Sequence, residues 1–238
     1  MSKCAVIMAG GKGTRLRPYT MVLPKPLVPV GEFPIMEIVI RQLADCGFDR
    51  IIIAVNHQAD LIETYFGNGS KFGVNIEYSL ETKALSTMGP LKLMRNLPDN
   101  FIVMNSDILT NLDYSEFLQN HINDGELFTI SAYRRIQNVE YGVLYEKEGA
   151  LVDFAEKPQL DYLVSMGVYA LSKDVLDYIP QDTFFGFDNL MRILISCNKK
   201  VKVNIFEGYW LDIGRPDDYQ VATDEFEKRK NVFLKEND

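Results

Sequence analysis

Apolar residues follow two rhythms along this chain. Cys4–Met8, Arg50–Val55 and Phe101–Met104 are short, nearly continuous apolar runs, the pattern of strands buried on both faces. Between the first two, Ile35, Met36, Val39, Ile40 and Leu43 recur at helical spacing. Pro34 stands where a first-turn proline is tolerated and Gly47 where a helix can end, so a helix is predicted from Ile35 to Cys46. A second helix is predicted from Asp60 to Phe66. The turn cluster Gly67-Asn68-Gly69-Ser70 then leads into a strand over Val74 to Ser79. Strands alternating with helices in this way predict an α/β fold with a parallel sheet.

Beyond Asn123 the pattern shifts towards strands, at Leu127 to Tyr133, Gly142 to Tyr145, Val152 to Ala155 and Leu163 to Leu171. This half is expected to form a mixed-sheet extension over the ends of the first sheet. Helices return at about Lys173 to Tyr178, Phe187 to Ser196 and Pro216 to Lys228. No repeat, low-complexity linker or heptad run divides the chain, so residues 1–238 read as one domain.

Charge narrows the function. Twenty-five basic against 33 acidic residues give a net charge of −8, the wrong sign for a surface that grips nucleic acid. An anionic substrate would therefore need a local basic cluster. The opening Met1-Ser2-Lys3 runs straight into an apolar strand without a long signal-peptide h-region, and no later apolar run approaches a membrane span. The expectation is a soluble cytoplasmic protein with no membrane partner; the sequence leaves room for a homo-oligomer. Cys4, Cys46 and Cys197 are odd in number and widely spaced in apolar patterns, which predicts buried reduced thiols. With His57 and His121 the only histidines, a zinc site is not expected.

The candidate chemistry begins directly after the first strand, at Ala9-Gly10-Gly11-Lys12-Gly13-Thr14-Arg15-Leu16-Arg17-Pro18. Glycines let backbone N–H groups approach a phosphate chain, and the cations neutralise it. A dinucleotide fingerprint would need a third glycine where Leu16 stands. A Walker loop would need Gly-Lys-Ser/Thr opening a helix, which Pro18 and Pro24 oppose. A triphosphate loop of another kind, or a glycine-rich surface turn, remains. Leu23-Pro24-Lys25-Pro26-Leu27 sets one lysine between two prolines, which predicts a stiff extended segment aiming Lys25 at the same phosphates.

Together Gly10–Pro18 and Leu23–Leu27 resemble the signature of the sugar-1-phosphate nucleotidyltransferases, the NDP-sugar pyrophosphorylases. The resemblance continues through Leu85-Ser86-Thr87-Met88-Gly89-Pro90-Leu91, Asn105-Ser106-Asp107, Tyr141-Gly142-Val143, Glu156-Lys157-Pro158, Gly167-Val168-Tyr169 and Trp210-Leu211-Asp212-Ile213-Gly214, in family order. It implies a Rossmann-like, mainly parallel sheet flanked by helices, with a small β-rich sugar-binding extension and without the left-handed β-helix tail of some relatives. The implied reaction joins a nucleoside triphosphate to a sugar 1-phosphate and releases pyrophosphate, with Mg²⁺ as cofactor.

Residue by residue, the similarity assigns Ala9, Gly10, Gly11, Gly13, Thr14 and Arg15 to the nucleotide, and Lys25 to the phosphates near the reacting centre. Asp107 and Asp212 become the metal ligands. Asp107 also follows an apolar strand, at the end where open α/β sheets bind ligands. Lys157 matches the lysine that meets the sugar phosphate, and Tyr141, Gly142, Glu156 and Gly167 line the sugar pocket. Asp188 joins them or caps a helix; Trp210 is core or pocket wall, and Tyr169 is core.

Glu81, Ser86 and Gly89 fall to the base site. The family usually has glycine where this chain has Ser86 and a small residue where it has Met88, changes that narrow the base site. Glu81 suits the adjacent N–H donors of guanine, and the style of Leu23–Leu27 with Gly89–Lys92 is similar to guanylyltransferases acting on mannose- or heptose-type phosphates. A uridylyltransferase, a silent nucleotide-sugar-binding regulator and a glycosyltransferase are the competing readings. The last usually carries an Asp-x-Asp motif, which Asp107-Ile108-Leu109 does not supply.

Overall fold

The computed structural model describes residues 2–234. Strand β1 (Cys4–Met8) leads into a loop holding two short strands, β2 (Pro29–Val30) and β3 (Phe33–Pro34), and then helix α1 (Ile35–Asp45). β4 (Arg50–Val55), α2 (Ala59–Phe66), β5 (Asn75–Leu80), β6 (Asn100–Asn105), β7 (Ile108–Thr110) and α3 (Tyr114–Asn123) complete the first half. The second half runs through β8 (Phe128–Asn138), β9 (Val143–Lys147), β10 (Ala150–Ala155), β11 (Gln159–Ser172), α4 (Phe187–Ser196), β12 (Val201–Phe206), β13 (Trp210–Asp212), α5 (Pro216–Lys228) and α6 (Lys230–Phe233).

A seven-stranded sheet in the order β12-β8-β11-β6-β1-β4-β5 forms the centre. Its neighbours are parallel except where β11 meets β6 and β8, so β11 alone runs against the rest. Alternation along β1 divides its side chains between two cores. Ala5 and Ile7 pack with α1, α2 and α3 on one face; Cys4 and Val6 pack with Leu190 and Leu194 of α4 on the other. Each buried Ile or Leu adds about 1.5–3 kcal/mol, which explains why a strand covered on both faces is apolar throughout. A third cluster joins Leu16, Leu109, Ile213 and Phe226 of α5 beneath the candidate site.

Helix α1 starts behind Pro34 and ends with Gly47 at φ +78°, where Gly47 N–H donates to Ala44 O at 2.8 Å and Phe48 N–H to Leu43 O at 3.0 Å. Two closing bonds of this kind need a left-handed residue, which glycine supplies.

Several expectations change. β8 and β11 do not form an extension over the sheet; they enter it beside β6 and bring β12 with them. Their pairing with residues far back in the chain, such as Tyr169 with Val103, leaves no local mark. What extends is the β9–β10 hairpin and the outer ends of β8 and β11. Lys173–Tyr178 is a 3-10 helix. α3, β12 and β13 add to the expected elements; Asp113 caps α3 by accepting from Glu116 N–H at 2.9 Å. The cysteines are free as expected, but only Cys4 is buried; Cys46 is half-buried and Cys197 exposed. Among the described residues no helix is long and apolar enough to cross a membrane.

Candidate active site

Four parallel strands release the chain on one side of the sheet, where open α/β sheets place their ligands. Ala9 follows β1, Asn56 follows β4, Glu81 follows β5 and Asn105 ends β6, and all four line one cleft of about 530 Å³. Gly10, Gly11, Gly13, Thr14, Arg15, Lys25, Ser86 and Asp107 line the same cleft. The nucleotide-side residues singled out in the sequence therefore come together, apart from Gly89. That glycine is buried, and a Cβ there would stand 2.7 Å from Thr183 O.

The glycine loop is held from below. Gly13 has φ +61°, and a Cβ on it would stand 3.0 Å from Thr20 Cγ2 and 3.1 Å from Lys25 Cβ. Its carbonyl accepts from Thr20 Oγ1 at 2.7 Å and from Leu16 N–H at 2.9 Å. A Cβ on Gly10 would lie 2.8 Å from Glu81 Oε1, so only glycine lets the loop rest on that carboxylate.

Lys25 is not on an extended segment. Lys25–Leu27 is a single 3-10 turn closed by Leu27 N–H on Pro24 O at 2.9 Å. Pro26 fits because the first turn of a helix has no acceptor for its N–H, and the proline ring already has the required φ. The turn delivers the Lys25 ammonium to the Asp107 carboxylate as an ion pair.

Asp107 and Asp212 meet through a small antiparallel ladder. β13 pairs with β7 so that Asp212 faces Ile108, and Ile213 N–H donates to Asp107 O at 3.0 Å. The carboxyl pKa of Asp212 is raised, first by burial and then by the charge of Asp107, while Lys25 and Arg15 draw it down. Asp107 lines the cleft, and Asp212 is close enough to feel its charge and those of Lys25 and Arg15. Two carboxylates so placed fit Mg²⁺, which takes one or two carboxylates and completes its shell with phosphate and water. Among the described residues no group of three or more His, Cys, Asp or Glu forms a closed metal cage. The ladder is fixed from behind by Gln42, buried, whose Nε2 donates to Thr110 O at 2.7 Å and Phe233 O at 3.0 Å.

Against the first turn of the glycine loop, Glu81 is buried and its pKa is raised by that burial. Its Oε2 accepts from Leu85 N–H at 3.1 Å, leaving Oε1 towards Gly10. Ser86 takes φ +65°, the left-handed region that a glycine there would adopt freely. Met88 does not narrow the cleft: it is fully buried in the second core with Leu91 and Phe185.

Of the sugar-side residues, Gly142 packs under Phe154 and Glu156, with a Cβ position 3.1 Å from Glu156 Oε2. Tyr141 beside it, and Glu156 and Lys157 after β10, are exposed. Gly167, at φ +74°, sits in the register shift of β11 against Asn105. Asp188 is on the first turn of α4 and not its N-cap, which is Gly186. It lies beside Ser86, since a Cβ on Gly186 would meet both side chains. Trp210 is half-buried, donating from Nε1 to Met166 O at 3.0 Å, and Tyr169 is core.

Thr20, Asn56 and Phe184 belong to this site or its support without a role assigned from sequence, and Asn105 entered only as part of the motif Asn105-Ser106-Asp107. Asn56 and Asn105 carry a usable signal, being polar at the end of a buried strand; Phe184 carries none.

A family model described as nucleotidyl transferase matches residues 4–229. A UTP–glucose-1-phosphate uridylyltransferase of Synechocystis sp. is 36% identical over 241 residues, 92% of this chain and 62% of that protein. A mannose-1-phosphate guanyltransferase of Saccharomyces cerevisiae is 35% identical over 228 residues, 92% of this chain and 63% of that protein. The chain thus spans about three fifths of the length of these curated relatives. HddC from Yersinia pseudotuberculosis, solved in complex with GMP-PN, superposes with a TM-score of 0.74 at 28% identity, covering 94% of this chain and 99% of that one.

Proposed function

The chain belongs to the nucleotidyl transferase family, and on that footing we propose that it transfers a nucleoside monophosphate from a nucleoside triphosphate to a sugar 1-phosphate, releasing pyrophosphate. The observation that carries the reading is one cleft that gathers the glycine loop, Arg15, Lys25 and Asp107, with Asp212 laddered to the last of these.

The sugar phosphate oxygen attacks the α-phosphorus in line. A new P–O bond forms as the bond to the β-phosphate breaks, and its electron pair leaves with pyrophosphate. The attacking phosphate is ionised at neutral pH, so no general base is needed, and the work falls to alignment and charge. Backbone N–H groups of the Gly10–Gly13 loop hold the triphosphate, and Arg15 and Lys25 neutralise the leaving group. Asp107 and Asp212 would hold Mg²⁺, which when bound supplies positive charge to the phosphates. Lys157 receives the sugar phosphate, and Tyr141, Gly142, Glu156 and Gly167 surround the sugar.

Guanine is the base favoured here, and a manno- or heptose-type phosphate the acceptor. Glu81 Oε1 is free to accept from a purine N–H, relatives of similar identity are named as mannose-1-phosphate guanyltransferases, and HddC was solved with GMP-PN. Uridylyl transfer is the second reading, favoured by the Synechocystis relative.

Pyrophosphate release by the purified protein with Mg²⁺, across five nucleoside triphosphates and a panel of sugar 1-phosphates, tests both. Release that needs both substrates is expected, fastest with GTP. Nucleotide-sugar binding without release from any pair would replace this reading with that of a silent regulatory relative.

A further inference from the structure

Phe184 is 67% exposed, yet it stands on the wall of the cleft that Glu81, Ala84, Ser86 and Thr87 also line. A lone exposed phenylalanine on an open surface would need no explanation. This one is held in place by its neighbours. Phe185 is buried in the second core, and Phe187 stacks on Tyr169 with ring centroids 4.8 Å apart and planes at 19°.

The loop carrying Phe184 is also stitched to the segment around Ser86. Phe185 N–H donates to Leu85 O at 3.0 Å, and Phe185 O accepts from Met88 N–H at 3.0 Å and Gly89 N–H at 2.9 Å. Phe187 N–H donates to Thr87 Oγ1 at 3.0 Å, and Lys83 pairs with Asp182 at 2.7 Å. These contacts tie the chain on both sides of residue 184 to the segment of residues 83–89, so Phe184 is mounted on the cleft wall with its ring uncovered.

We propose that Phe184 is a nucleobase-contacting residue that sets base preference: its ring covers the base whose edge Glu81 receives. This deepens the nucleotidyltransferase reading and rests on it. Glu81 presents Oε1 as an acceptor to the edge of a base; Phe184 supplies an apolar aromatic surface for its face. A purine presents more area to such a ring than a pyrimidine, so the contact favours purines. The phosphate end of the cleft, at Gly10–Arg15 and Lys25, is formed by other segments and is not altered by changes at 184.

The test is equilibrium binding of GTP and UTP to the purified full chain, followed by steady-state kinetics, for wild type, Phe184→Ala, Phe184→Leu and Phe184→Tyr. Loss of base–aromatic stacking weakens binding by roughly 10-fold. Phe184→Ala and Phe184→Leu are expected to weaken GTP by about that factor and UTP less, compressing the GTP-to-UTP ratio. Phe184→Tyr keeps the wild-type ratio, and KM for the sugar 1-phosphate stays unchanged throughout. Leu retains bulk without a π-face, so it separates stacking from filling of space. GTP binding unchanged in Phe184→Ala, equal weakening of GTP and UTP, or a rise confined to the sugar-phosphate KM would each overturn the assignment. Wild-type protein that binds no nucleotide would remove the function reading and this inference with it; binding that Phe184→Ala leaves intact removes the inference alone.

Discussion

The Lys25 ammonium is paired with the Asp107 carboxylate across 82 residues of sequence, and the two side chains are only 11% and 13% exposed. Each charge satisfies the other, and both residues line the cleft.

Lys25→Ala and Asp107→Asn are each expected to lower turnover by about 10²–10³-fold or more, the range for losing one preorganised charge at a reacting centre. Lys25→Ala also leaves a carboxylate with little solvent, at a cost of about 2 kcal/mol. The double variant Lys25→Met, Asp107→Asn recovers most of that stability and stays inactive. Melting curves beside pyrophosphate-release assays read both effects, and near-normal turnover in either single variant would count heavily against these roles.

Gly10 and Gly11 separate packing from phosphate contact. A methyl group on Gly10 meets Glu81 Oε1 at 2.8 Å, whereas one on Gly11 meets nothing within 4 Å. Gly10→Ala is expected to displace the loop or Glu81, lowering the melting temperature and weakening nucleotide binding. Gly11→Ala leaves the melt unchanged, so any loss of affinity it causes reports crowding of the bound phosphates. Equal melts for the two variants would contradict this division.

Ser86 carries a left-handed backbone at φ +65°, which costs a residue with a Cβ about 1 kcal/mol or more. Ser86→Gly relieves that cost, while the extra freedom of glycine in the unfolded chain takes back about 0.5–1 kcal/mol. The net change is small, within about 4 °C in melting temperature. Ser86→Val, branched at Cβ, is expected to melt several degrees lower and to raise KM for the nucleotide by disturbing the segment anchored on Glu81. A valine variant indistinguishable from wild type in both would rule out backbone strain at this position.

His121 governs part of the acid limb of stability. It is 1% exposed, with Nδ1 2.8 Å from Thr129 Oγ1, and burial pushes its pKa down to about 4. Glu126 and Asp124 nearby raise it and Lys202 lowers it, all less than burial does. A depressed histidine contributes stability that is full above its unfolded value near 6.5 and is lost as pH falls through about 4. The loss attributable to His121 is about 3 kcal/mol. His121→Asn is expected to flatten the fall in melting temperature between pH 6.5 and 4; an unchanged slope would show that carboxylates alone set it.

The sequence by itself determined the rhythm of strands and helices through α1, β4 and α2, because buried strands and amphipathic helices write their period into consecutive residues. The glycine loop and the lysine between prolines were legible from local residue type as candidates for phosphate contact, whereas Asp107 and Asp212 stood out only through the order of motifs along the chain. Only the tertiary structure decided that β8, β11 and β12 enter the central sheet, and that β13 returns Asp212 to Asp107. It alone turned Met88 into the core, set Ser86 in a left-handed backbone, and left Phe184 on the wall of the cleft. Those outcomes depend on contacts between residues as much as 106 positions apart, as between Ile213 and Asp107. The free energy of such contacts comes from surfaces matched after folding, and no pattern of neighbours along the chain encodes it.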